Sequence, residues 1–295
     1  MDKIMDKKPV PHRIFPSAQQ DAEVVAKATP IPQTEHPSYR LAFQDTEFLL
    51  REELRPVRFQ LELLKPEMIL QEHGITSTFV MYGSARIPSP EAADALVAAA
   101  RTDWQRTVAK RLQAKAKYYV EAYRLARLVS SLPQADGERH FVVCSGGGPS
   151  IMEAANKGAH DAGKESVALN IVLEHEQLPN EYVTPELSFQ FHYFALRKMH
   201  FLMRARAVAV FPGGYGTFDE LFETLTLIQT RKIKPMPVLL FGREYWERVV
   251  NFHALAEEGT INREDIELFH FVETAEEAWA IVAAFYEVTA LGGPC

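Results

Sequence analysis

The chain has 295 residues, 47% of them hydrophobic and 24% charged, an ordinary globular balance with apolar content for a sizeable core. A formal net charge of −7 argues against a nucleic-acid backbone as the main partner but leaves room for a small phosphate ligand, which needs only local positive potential. No apolar run approaches the roughly 20 residues of a membrane span, and the N-terminus lacks the apolar stretch of a signal peptide. The cysteines, Cys144 in a predicted core strand and Cys295 at the terminus, are poor disulfide partners, so the expectation is a cytoplasmic protein with no membrane partner.

Residues 1–38 are rich in Pro, Lys, Gln and Asp without periodicity and read as a flexible or surface-draped arm. From about Ala42 to Leu64 a helical pattern appears, with Pro56 as a possible bend. Residues 1–75 are therefore taken as an N-terminal arm and helical extension, and 76–290 as the catalytic domain. Within that domain strands and helices alternate. Strand Thr78–Tyr82 precedes a long helical region within Pro90–Leu132; strand His140–Cys144 precedes helix Ile151–Ala162. Strand Ser166–Ile171 leads through a long connection to a helix from about Leu196 to Ala205. Strand Ala207–Phe211 precedes helix Thr217–Thr230, strand Pro237–Phe241 precedes helix Tyr245–Glu257, and a short strand near Leu268–Val272 precedes helix Ala275–Tyr286. Such alternation predicts an α/β fold, a doubly wound parallel sheet with helices on both faces and an extra N-terminal helical layer.

Three of the strands end in glycine turns. After Ala207–Phe211 comes Pro212-Gly-Gly-Tyr-Gly-Thr-Phe-Asp-Glu220. Gly213, Gly214 and Gly216 can take positive φ and let a phosphate approach the backbone. Thr217 can cap the following helix and lend a hydroxyl, and Tyr215 lies in the same loop. Glu220 lies one turn in, a carboxylate beside an anion site where electrostatics disfavours one. The second turn is Ser145-Gly146-Gly147-Gly148-Pro149-Ser150, with Pro149 at the first turn of its helix. The third is Gly83-Ser84-Ala85-Arg86. One glycine turn has a purely conformational explanation. Three that each follow a parallel strand emerge at one carboxyl edge and point to a shared phosphate site. Their spacing matches neither a dinucleotide fingerprint nor a Walker loop, which disfavours hydride transfer and nucleoside triphosphate hydrolysis.

With these residues laid out, the chain resembles the Lonely Guy family, the cytokinin riboside 5′-monophosphate phosphoribohydrolases with the older label of lysine-decarboxylase-like proteins. The resemblance is carried by Pro212–Glu220, by Arg197-Lys198 and by Gly146–Ala154, and extends from about Thr78 to Phe285. Residues 1–75 and the long helical region after Pro90 are similar to the longer bacterial branch. Ser150 departs from the pattern, which has glycine there, and Met199-His200 follows the Arg-Lys pair instead of preceding it. The resemblance implies a modified Rossmann fold, no cofactor and no metal, and a homo-oligomer, a dimer or larger, with sites near subunit interfaces. It also implies hydrolysis of the N-glycosidic bond of nucleoside 5′-monophosphates, AMP or an N6-modified AMP, to free base and ribose 5-phosphate.

The chemistry suits the residues. Cleavage passes through an oxocarbenium-like state that a carboxylate can stabilise, and Glu220 is the candidate. Arg197 can assist departure of the base. Lys198, Glu223, Ser84, Gly147 and Gly148 are candidate substrate contacts, and the resemblance places Met152 and Glu153 near the base and ribose. Each also has a plainer reading. Glu220 could complement a helix dipole, Arg197-Lys198 could be a solvated pair, and His192, Tyr193 and His200 read more simply as packed aromatics than as base-stacking groups. No Cys/His cluster has metal-ligand spacing, and no lysine sits in a pyridoxal Schiff-base context. The competing functional class is a nucleotide-binding or sensor protein without turnover. The helices within Pro90–Leu132 and Thr217–Thr230 carry more apolar surface than one sheet can cover, which supports the oligomer independently.

Overall fold

Seven apolar runs pair into one parallel sheet. In chain order they are β1 (Thr78–Tyr82), β2 (Val142–Ser145), β3 (Ser166–Ile171), β4 (Ser188–Phe191), β5 (Ala205–Val210), β6 (Val238–Phe241) and β7 (His270–Val272). The computed structural model describes residues 15–134, 137–174 and 178–287. Strand order is β4-β3-β2-β1-β5-β6-β7, and every pairing is parallel. The chain winds outward from β1 in both directions, so the order reverses between β1 and β5. A crevice opens at such a reversal, outside the carboxyl ends of the strands. The three glycine turns follow β2, β1 and β5, the strands on either side of that reversal.

The expected strands β1 and β3 fall at their predicted bounds. β2 starts later than expected because Phe141 takes a left-handed φ of 53°, which breaks the extended run after His140. Its amide donates to Ser77 Oγ (3.0 Å), and its ring meets the edges of Trp279 and Tyr286. β4 lies at the sheet edge, inside the stretch expected to be a long connection; it is a four-residue alternation with Phe189 and Phe191 buried.

The chain divides into two compact units between Gln60 and Leu61. In the first, helices α1 (Ala18–Val25), α2 (Pro32–Glu35) and α3 (Thr46–Leu49) alternate with 3-10 turns, and no described residue is buried. A Ser17–Gln20 capping box starts α1, so this part of the arm is helical where no element was expected; residues 1–14 lie outside the described residues. Helix α4 (Arg55–Glu72) takes Pro56 into its first turn, so the anticipated bend is absent there.

In the second unit, the expected long helix is three: α5 (Pro90–Ala98), α6 (Asp103–Gln113) and α7 (Ala116–Ser130). Thr102 caps α6 in a box with Gln105 and ends the preceding turn. α8 (Ile151–Asp161) and α9 (Phe194–Met203) follow β2 and β4; α10 (Tyr215–Gln229) follows β5. The expected helix over Tyr245–Glu257 is split into α11 (Arg243–Val249) and α12 (Phe252–Glu257), because Asn251 caps a new start. Last is α13 (Ala275–Tyr286), opened by a Thr274–Glu277 capping box. The core joins Phe79 and Met81 of β1, Phe211 just past β5 and Phe241 of β6 to Leu125 of α7, Ile151 of α8 and Trp279 of α13.

α7 and α8 approach closely at Gly158, where a β-carbon would lie 2.8 Å from that of Ala126 and clash with the Tyr123 carbonyl oxygen. Gly158→Ala gains helix propensity but must push the helices apart. We expect a net loss of ~1–3 kcal/mol, as for overpacked cores, read by denaturant unfolding; an unchanged or raised midpoint would mean that α7 gives way freely.

Candidate active site

The three turns are tied to one another before any ligand is considered. Ser84 N–H donates to the Pro212 carbonyl (3.2 Å), and Ile151 N–H donates to the Ser84 carbonyl (3.5 Å). Gly83 must be glycine, since a β-carbon there would sit 2.5 Å from the Ile151 side chain.

The turn after β2 is held by amide side chains. Gly147 takes φ +74°, and its N–H donates to Ser145 Oγ (3.0 Å). Ser145 in turn donates to Asn156 Oδ1 (2.7 Å), and Asn156 Nδ2 to Ser166 Oγ (3.0 Å). Asn180 Nδ2 then reaches the carbonyls of Gly147 (3.1 Å) and Gly148 (3.0 Å) and Asn156 Oδ1 (2.9 Å). The sequence reading missed both asparagines. The one available signal was Asn156, a poor helix former on the apolar side of α8, where it is fully buried. Ser150, the departure from the family glycine, takes φ 67°, a conformation that costs a non-glycine residue, and its hydroxyl bonds the Ile87 carbonyl.

The turn after β5 differs from expectation. None of Gly213, Gly214 and Gly216 takes positive φ. Helix α10 begins at Tyr215 with Gly214 as its N-cap, so Thr217 lies within the helix and does not cap it. Thr217 is buried against Gly213, where a β-carbon would lie 2.5 Å from that of Thr217. Tyr245 donates its hydroxyl to the Gly213 carbonyl. Gly214 and Gly216 face open space, and Tyr215 is 96% exposed.

Beside these turns sits an ion pair whose arginine is buried and whose carboxylate is nearly so. Arg197, on α9, is 9% exposed; its Nε donates to the Leu169 carbonyl (2.6 Å), and one terminal nitrogen reaches Glu220 Oε1 (3.4 Å). The guanidinium lies 5.0 Å from the Phe201 ring centroid. A β-carbon on Gly146 would meet the other terminal nitrogen at 2.7 Å and Met152 Sδ at 2.8 Å, so these groups share one spot. Burial pushes the Glu220 carboxyl up to about 7, with Arg197 pulling it only partly back; Asp219 and Glu223 push further and Lys198 opposes them. The buried Tyr82 phenol at the end of β1 is raised well above its usual range by burial and then by Glu220.

Lys198 does not stand free for a phosphate: it bridges Asp219 Oδ1 and Glu223 Oε2, both at 2.9 Å. Partial burial works against its charge, but hydrogen bonds to the two carboxylates outweigh that and hold the ammonium above its ordinary pKa. Glu153 accepts from Tyr119 Oη (2.9 Å) of α7. His200 is buried against α4, as a packed aromatic. Among the described residues no three His, Cys, Asp or Glu groups gather to hold a metal ion, and no helix is long and apolar enough to cross a membrane.

Residues 152–282 match the family model described as "Possible lysine decarboxylase". That stretch of the chain is similar to this lysine-decarboxylase-like family. No curated protein matches it. Among solved structures, the Moco carrier protein from Chlamydomonas reinhardtii is similar at 16% identity, over 72% of this chain and 98% of that one, with a TM-score of 0.43. The structural-genomics target TM1055 is similar at 19% identity, over 70% of this chain and 99% of that one, with a TM-score of 0.44.

The open space at Gly214 and the crowding at Gly213 predict opposite variants. Gly214→Val should fold normally, with an unchanged thermal midpoint, because its side chain meets only open space. Gly213→Ala should lower the thermal midpoint through its clash with Thr217. An equally lowered midpoint in both variants would mean that the space at Gly214 is not open.

Proposed function

We propose that the chain hydrolyses the N-glycosidic bond of nucleoside 5′-monophosphates, AMP or an N6-modified AMP, releasing free base and ribose 5-phosphate. The observation that carries this reading is the Arg197–Glu220 pair beside three glycine turns at the strand-order reversal. The turns present the start of α10 to an anion, which suits the 5′-phosphate. Anchoring there would hold the ribose in register, so that remote binding energy serves the reacting centre.

In the reaction the bond between the anomeric carbon and the base nitrogen breaks with its electrons leaving on the base. Water bonds to the anomeric carbon and loses a proton, and the base gains one. Glu220 as carboxylate would stabilise the positive charge developing at that carbon and orient the water. Arg197 would face the charge growing on the base. The Lys198–Glu223 pair would present an oriented carboxylate to the ribose hydroxyls. A decarboxylase using a Schiff-base lysine needs an amine that gives up its proton readily, whereas Lys198 is held protonated by two carboxylates.

Incubation with AMP and chromatography for free adenine tests the reading. Adenosine should be much the poorer substrate in kcat as well as affinity, because it lacks the handle. AMP bound without adenine release would make the chain a nucleotide-binding protein instead. Glu220→Gln should still bind AMP but lose at least ~100-fold in turnover. Because the carboxylate form is the active one, kcat/KM should fall as pH drops through about 7, and a rise on acidification would instead make Glu220 a proton donor.

We further propose a homo-oligomer. Tyr215, Phe218, Phe222, Thr226 and Leu227, together with Asp219 and Glu223, line a largely apolar groove along α10 next to the site. Light scattering at micromolar concentration should give a mass above 33.4 kDa; a monomer at that concentration would refute it.

A further inference from the structure

Helix α9 carries Arg197, yet its start lacks the usual devices. Tyr193's own side chain does not cap it, and the first turn holds no acidic residue. The missing carboxylate comes from α4. Glu62 accepts from His192 N–H at Oε1 (2.8 Å) and from Tyr193 N–H at Oε2 (3.2 Å). The Tyr193 carbonyl in turn accepts the Arg197 N–H (3.2 Å), so Glu62 lies two hydrogen bonds from the Arg197 backbone. The same two helices meet again lower down: His200 Nε2 is 3.2 Å from the Glu62 carbonyl, and Arg204 pairs with both oxygens of Glu67 (2.5 Å each).

We propose that Glu62 is a positioning residue for the reacting pair: by clamping the start of α9, it sets how closely the Arg197 guanidinium approaches Glu220. A charge-assisted bond to two consecutive amides fixes both the height and the rotation of the first turn, and a small displacement of a reacting group costs far more rate than stability. The α4 helix, which precedes the sheet, thereby takes part in the site without touching substrate. The inference rests on Arg197 and Glu220 forming the reacting pair.

The test compares the full-length protein with Glu62→Ala, Glu62→Gln and Glu62→Asp. In Glu62→Ala, kcat on AMP should fall at least ~10-fold while KM changes less. Glu62→Asp should recover part of the loss, since it keeps a charged acceptor. The discriminating readout is the titration midpoint of the Glu220 carboxyl, followed by carbon-13 NMR with Glu220→Gln to assign the signal. Arg197, Lys198, Asp219, Glu223, Tyr82 and Cys144 act on or respond to that carboxyl. Of these groups, Arg197 and Lys198 favour its charge, and both ride on α9. Loosening α9 should therefore raise the midpoint by about half a unit or more. A folded Glu62→Ala protein with an unmoved midpoint and wild-type kcat overturns the proposal. If the wild type shows no turnover but the midpoint still moves, the reaction assignment fails while the positioning role stands. Should Glu62→Ala not fold, the Gln and Asp variants must show the same upward shift in smaller measure, and its absence in both overturns the proposal.

Discussion

A guanidinium and a carboxylate facing each other out of water constrain everything around them. Withdrawing either charge from solvent is costly, and their attraction repays it only when geometry is good and the remaining hydrogen-bonding sites are filled. Arg197 meets that demand with the Leu169 carbonyl, the Phe201 ring and Glu220. Each of these comes from a different element, so β3, α9 and α10 must hold their mutual positions for the pair to exist. Burial pushes the Glu220 carboxyl up to about 7, and Arg197 at 3.4 Å pulls it only partly back. That is the protonation range in which a buried acid can serve chemistry at neutral pH.

The surrounding turns show how glycine and asparagine divide the labour. At Gly83, Gly146 and Gly213 the missing β-carbon admits a neighbour: Ile151, the Arg197–Met152 corner and Thr217. At Gly214 and Gly216 it leaves space empty. Asn180 does the opposite work, donating to the Gly147 and Gly148 carbonyls of the β2 turn while its amide is also held by Asn156. A loop held by its own hydrogen bonds needs less ordering on binding than a free one.

Much of this could be read from the chain alone, and the exceptions have physical causes. Contiguous apolar runs such as Thr78–Tyr82 and Ser166–Ile171 report buried parallel strands directly, because both faces are covered. The edge strand Ser188–Phe191 is four residues long and half exposed, too weak a pattern to stand out. The break at Thr102 was legible as a threonine three residues before Gln105, but the continuous apolar periodicity masked it. Glu220 stood out by its place one turn after the glycine run and Arg197 through the family resemblance; periodicity places them 23 residues apart on two helices and says nothing of their meeting. The Asn180 anchor and the Glu62 clamp are long-range contacts of loop and helix, invisible to any local pattern.

The strand order also bears on where this protein can be cut. The family match begins at Met152, after β1 and β2 have already passed. Those two strands are not appendages: they lie in the middle of the sheet, between β3 and β5. A fragment restricted to the matched stretch would own two half-sheets with a gap two strands wide, each half exposing a row of unpaired backbone groups. Matched segment and folding unit are thus different objects here. The smallest piece able to close its own sheet must reach back to Thr78.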